Sequence, residues 1–112
     1  MAKRTITARG EIDRLFSEGS RTSQKVLVVL ALATPEARGP EGRVLFVAGR
    51  RVGSAVRRNR AKRVMRETVR RAGGPWPGLD IALIAREGTA EAPHRELDLA
   101  LTHALISLGV RS

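Results

Sequence analysis

RRVGSAVRRNRAKRVMRETVRR, residues 50–71, holds ten basic side chains (Arg50, Arg51, Arg57, Arg58, Arg60, Lys62, Arg63, Arg66, Arg70 and Arg71) against one acid, Glu67. From Ala55 onward its apolar positions keep helical spacing, because Ala61, Val64, Met65, Thr68, Val69 and Ala72 fall three and four residues apart. One face of such a helix buries and the rest stays in water. At about 100° per residue, Asn59, Arg63, Arg66 and Arg70 line up in a stripe opposite the apolar face, with Arg60 and Lys62 on its flanks. Like charges one turn apart cost a helix a few tenths of a kcal/mol per pair, and only Glu67 is near enough in sequence to relieve them. This density on one side is more than a solvated face requires. It suits a polyanion, since guanidinium forks match phosphate oxygens and Asn59 offers both a donor and an acceptor.

The flanking segments supply what this helix packs on. Ser54 is placed to cap it, and Gly73-Gly74-Pro75 ends it after residue 72. Upstream, residues 24–34 (QKVLVVLALAT) form a nearly continuous apolar run, which predicts a strand covered on both faces. The turn TPEARGPEG, residues 34–42, leads to a second strand over 43–48, and the short connection favours antiparallel pairing of the two. Phe46 is expected to pack in this sheet. Downstream, LDIALIA at 79–85 is a third buried strand, so strand, basic helix and strand make a crossover within one sheet. Trp76, in GGPWPGL, reads as a loop anchor on that sheet. A short helix over 8–18, with Ile12, Leu15 and Phe16 on one side and Gly19 as its stop, opens the fold. A last helix begins at Pro93 and carries Leu97, Leu101, Ala104, Leu105 and Leu108 to Gly109. The expected fold is an α+β two-layer sandwich, in the order α-β-β-(β)-α-β-α, with a three- to four-stranded sheet.

The 112 residues make one domain, residues 1–112, with 1–7 basic and loose. A net charge of +10 points to nucleic acid or an anionic membrane surface. No apolar run is long enough to span a bilayer, and the N-terminal stretch lacks the apolar core of a signal peptide, so a cytoplasmic protein is expected. The chain has no Cys, which removes disulfides and thiol chemistry. Metal-assisted phosphodiester cleavage needs converging carboxylates, whereas the acids here are scattered. Asp80, at a strand start, is expected to pair with a nearby Arg rather than to hold a metal. His94 and His103 lie about 180° apart on one helix and cannot act as a pair. The chain is expected to bind rather than to break bonds. No second helix sits close enough for a helix-turn-helix, which disfavours DNA.

The run RVLFVAGRRVGSAVRRNRAKRVMRE, residues 43–67, resembles the signature of the bacterial ribonuclease P protein component. That signature is a strand, a basic pair (Arg50, Arg51), V-G-x-A-V (Val52 to Val56), then R-N-R-x-K-R-x-x-R on a helix (Arg58 to Arg66). Pro77-Gly78-Leu79-Asp80-Ile81 through Ala85-Arg86 is similar to a later strand of the family, and the resemblance covers nearly the whole chain. It implies a left-handed crossover through the basic helix, against the general rule. It implies a non-catalytic accessory subunit of an RNA-based endoribonuclease, in which the partner RNA with its Mg2+ removes the 5′ leader of precursor tRNA. No cofactor is expected on the protein itself.

The expected partners are ribonuclease P RNA, at one protein per RNA, and precursor tRNA, with no DNA or membrane. Arg58, Asn59, Arg60, Lys62, Arg63 and Arg66 would contact the catalytic RNA, extended by Arg50, Arg51, Arg57 and Arg70. A leader cleft between the first helix and the sheet would include Ile12, Phe16 and Leu30. Of these only Phe16 is aromatic, and it either stacks on a base or packs as core. The alternative function is a general structured-RNA-binding or ribosome-associated protein with no role in tRNA processing.

Overall fold

The two longest apolar runs, residues 27–33 and 79–85, have no polar face to turn to solvent and take the two central places of a sheet. The computed structural model describes residues 9–35 and 41–110. In chain order it contains helix α1 (Arg9–Glu18), strands β1 (Ser20–Ser23), β2 (Leu27–Ala33) and β3 (Val44–Val47), helix α2 (Ala55–Arg71), strand β4 (Leu79–Ala85) and helix α3 (His94–Ser107). Single 3-10 turns at Arg50–Val52 and Thr89–Glu91 precede α2 and α3. The loose start expected for residues 1–7, and positions 36–40 of the expected turn, lie outside the described residues.

The sheet order is β1-β2-β4-β3. β2 and β4 pair antiparallel along their full length, from Leu27 opposite Ala85 to Ala33 opposite Leu79. β3 pairs parallel with β4, from Val44 opposite Ile81 to Val47 opposite Ile84. The expected hairpin between residues 24–34 and 43–48 is therefore corrected: β4 lies between the two strands. Two seven-residue apolar strands bury both faces only if they sit side by side in the centre, while β3, four residues long and mostly half-buried, is suited to an edge. β3, α2 and β4 form the expected crossover. The fourth strand is β1, SRTS, which pairs antiparallel with β2 and precedes it instead of following β3. Its residues are exposed or half-buried, so hydropathy gives no sign of it.

Strand alternation divides the core. On one face Leu27, Val29, Val44, Ile81 and Leu83 meet Met65 and Val69 of α2 and Leu97, Leu101, Ala104 and Leu105 of α3. On the other, Leu30 and Ala82 meet Leu15 of α1, flanked by Ile12, Leu32, Leu45 and Ile84. The expected two layers are the sheet and the α2/α3 pair, and α1 adds a partial layer on the opposite face. A third small cluster, Val52, Ala61 and Ala90, pins the turn before α2 beneath that helix.

Asp80 is 4% exposed. Its Oδ1 accepts from the Thr34 hydroxyl at 3.1 Å and from the Arg43 backbone N–H at 3.2 Å. The carboxylate thus binds the segments on both sides of the β2–β3 connection to the start of β4. Leu83, fully buried in the main core, is the position where packing is most directly tested. Leu83→Ala should lower unfolding free energy by about 2–5 kcal/mol, read as a lower urea midpoint with an unchanged slope.

Candidate nucleic-acid interface

α2 begins where its sequence says it should. Ser54 Oγ accepts from the Arg57 N–H at 3.3 Å, satisfying one of the donors left open in the first turn. Gly53 before it has φ 133°, and a Cβ there would lie 2.8 Å from Arg57 Cδ, so the turn into the helix requires glycine. At the other end Gly73 has φ 91°, and the Gly74 N–H donates to the Val69 carbonyl at 3.0 Å. The Trp76 ring packs beside Gly74 and against the main core, which makes it the expected loop anchor.

Ala61, Met65, Thr68 and Val69 are buried, and the Thr68 hydroxyl donates to the Val64 carbonyl at 2.7 Å. The opposite stripe of Asn59, Arg63, Arg66 and Arg70 is exposed along its whole length, as are Arg60, Arg50 and Arg51, while Arg58 and Lys62 are half-buried beside it. Among the described residues no carboxylate pairs with Arg63, Arg66 or Arg70. Arg66 instead lies over the Phe46 ring of β3, its Cζ 5.4 Å from the ring centroid. That cation–π contact holds one guanidinium of the stripe in place.

Arg57 stands apart from the other candidates. Its Nε lies 2.7 Å from Glu91 Oε1, and its Nη2 donates to Glu91 Oε2 at 3.0 Å and to the Glu87 carbonyl at 2.8 Å. Arg71, in the last turn, pairs in the same way with Asp98 of α3 at 2.8 Å. Arg71 lies about a third of a turn round from the stripe, and Arg57 nearly half a turn. They tie the two ends of α2 to the rest of the fold, and their acids are taken up away from the stripe.

The three residues expected at a leader cleft separate by depth. Phe16 is 46% exposed on α1, which decides against plain core; Ile12 is half-buried; Leu30 is 2% exposed and lies beneath Leu15. Leu30 supports α1 from below and does not face solvent. On the same face of the sheet, toward the start of β2 and the end of β4, is a cavity of about 520 Å³ that sequence reading missed. Arg21, Lys25, Arg51 and Arg86 line it, with Glu87 as the single acid among the described residues. They come from separate stretches of chain, and none but Arg51 sits in a basic run, so no local signal marks them. His94 and His103 are both exposed, and among the described residues no three His, Asp or Glu side chains converge as a metal site. No helix among the described residues is long and apolar enough to cross a membrane.

A family model described as Ribonuclease P matches residues 1–109. The chain belongs to the ribonuclease P protein family. The ribonuclease P protein component of Symbiobacterium thermophilum is 36% identical over 96 residues, covering 82% of this chain and 79% of that one. The fold is similar to that of the Thermotoga maritima ribonuclease P protein, with a TM-score of 0.75 and 28% identity over 92% of this chain and 96% of that one. It also resembles the Staphylococcus aureus protein, with a TM-score of 0.82 over 99% and 100% of the two chains and 22% identity. The family signature at residues 43–67 therefore maps onto β3, the 3-10 turn and most of α2.

Arg63 and Arg57 should separate in solution. Arg63→Ala should weaken RNA binding and flatten the dependence of log K on log salt by up to about one unit. Arg57→Ala should leave that slope nearly unchanged and lower the thermal midpoint, because the pair it breaks is intramolecular. Equal slopes for the two variants would contradict this division.

Proposed function

We propose that this chain is the protein subunit of ribonuclease P and binds the catalytic RNA through α2, promoting removal of the 5′ leader from precursor tRNA. The observation that carries the reading is the exposed stripe of Asn59, Arg63, Arg66 and Arg70, without carboxylate partners among the described residues, on the fold of a ribonuclease P protein. Each phosphate met by such a side chain releases condensed counterions, so binding is favourable and strongly salt-dependent. Cations set between two RNAs also reduce their mutual repulsion, which lowers the magnesium concentration needed to bring substrate to the catalytic RNA.

Bond breaking is assigned to that RNA and its Mg2+ ions. The groups this chain presents are guanidinium, ammonium and amide donors, which hold phosphates in place without generating a nucleophile. One protein serves each RNA. The leader is assigned to the sheet face that α1 partly covers, with Phe16 as the one aromatic stacking surface and Arg21, Lys25, Arg51 and Arg86 meeting the backbone in the cavity. Ile12 contributes apolar contact, and Leu30 acts only through the position of α1.

The test is cleavage of a precursor tRNA at low magnesium by the cognate ribonuclease P RNA, with and without the protein, and by the protein alone. Cleavage at the mature 5′ end should need both components. Protein that binds the RNA but leaves the rate unchanged would move the general RNA-binding role ahead.

A further inference from the structure

A second cavity, of about 300 Å³, opens between the C-terminal half of α2 and β3, the edge strand of the sheet. That volume is at the lower end of the range for small-ligand sites. Buried Val44 and Val69 and half-buried Phe46 and Pro75 form its floor, and the exposed Arg66 and Arg70 form its rim. At Gly74, which also lines it, a Cβ would lie 2.7 Å from Val69 Cγ1 and 2.8 Å from the Trp76 ring, so this turn admits no side chain.

The chemistry of the groove is two-sided. A base-paired helix offers phosphates to the rim but nothing to an apolar floor, since its bases are stacked inside. A flat heterocycle joined to a phosphate satisfies both. The rim arginines also continue the stripe of Asn59 and Arg63, so a chain of phosphates following α2 arrives directly above the groove. We propose that this groove takes one unpaired nucleotide of the partner RNA, with the base on the Val44, Phe46, Val69 and Pro75 floor and its phosphate between Arg66 and Arg70. The inference rests on the reading of α2 as an RNA-binding helix. The contact between Arg66 and Phe46 then couples the two halves of the site, because the ring that orients the guanidinium also borders the base.

The probes are adenosine 5′-monophosphate and ribose 5-phosphate, titrated separately into the whole chain and followed by NMR. The nucleotide should shift the Phe46 ring and the Val44 and Val69 methyl resonances, while ribose 5-phosphate should move only the signals of Arg66 and Arg70. Phe46→Leu, which keeps an apolar side chain, should weaken the nucleotide several-fold relative to ribose 5-phosphate. In the complex with ribonuclease P RNA the same variant should lower affinity while flattening the salt slope less than Arg66→Ala does, because the Arg66 charge remains although the ring that orients it is gone. Equal responses to the two probes, nucleotide shifts confined to Phe16, or no shift at the floor would overturn the groove. If the floor fails to respond while the protein still stimulates cleavage at low magnesium, the groove is wrong and the subunit role stands. If the floor responds but cleavage is not stimulated, the nucleotide site stands and the subunit role falls.

Discussion

Eight cations and one acid on a 17-residue helix set the constraint under which this fold exists. Pairs such as Arg58 with Lys62, Lys62 with Arg66, and Arg66 with Arg70 lie one turn apart, each costing a few tenths of a kcal/mol. Burying Met65 alone contributes about 1.5–3 kcal/mol. The seam of Ala61, Met65, Thr68 and Val69 therefore holds α2 in the folded state against the repulsion on its outer side. The repulsion that remains is what a polyanion relieves, so the charge that strains the free helix favours the bound one.

The sheet turns that seam into a platform. With β2 and β4 at its centre, one face is closed by α2 and α3, and the other is only partly closed by α1. Because α1 covers Leu30 and Ala82 but not the end of the sheet near Val28, the second face keeps room for the basic cavity. One molecule thus presents a convex helix surface and a recessed sheet surface, one for each of the two RNA contacts proposed above.

Arginine plays three parts on one helix. Arg63 is exposed for a partner, Arg57 and Arg71 bind Glu91 and Asp98, and Arg66 is stacked on Phe46. The tethers are exposed and worth little individually, on the order of 0–1 kcal/mol each. Their effect is to keep Glu91 and Asp98 turned away from the stripe and to fix α2 at both ends. A helix fixed in this way would lose less freedom on the RNA binding proposed for it.

Helical and strand periodicities are local properties, and what depends on them was legible in the sequence. The bounds of α2, its Ser54 cap, its buried seam, the exposed stripe and the face of α3 all follow from spacing, as does the double-sided burial of β2 and β4. The ordered signature at residues 43–67 made the family legible too. Strand order was not, because a short connection favours a hairpin only when no better partner competes, and β4 matched β2 in length and burial across about fifty residues of chain. Nor did spacing reveal β1, whose pairing rests on backbone hydrogen bonds that polar side chains do not announce. The sequence by itself determined which residues are basic and which face of α2 they occupy. Only the tertiary structure decided which of them lack a carboxylate partner among the described residues, because Glu91, Asp98 and Phe46 reach the helix from distant segments, and a guanidinium is committed or available according to what the fold brings beside it.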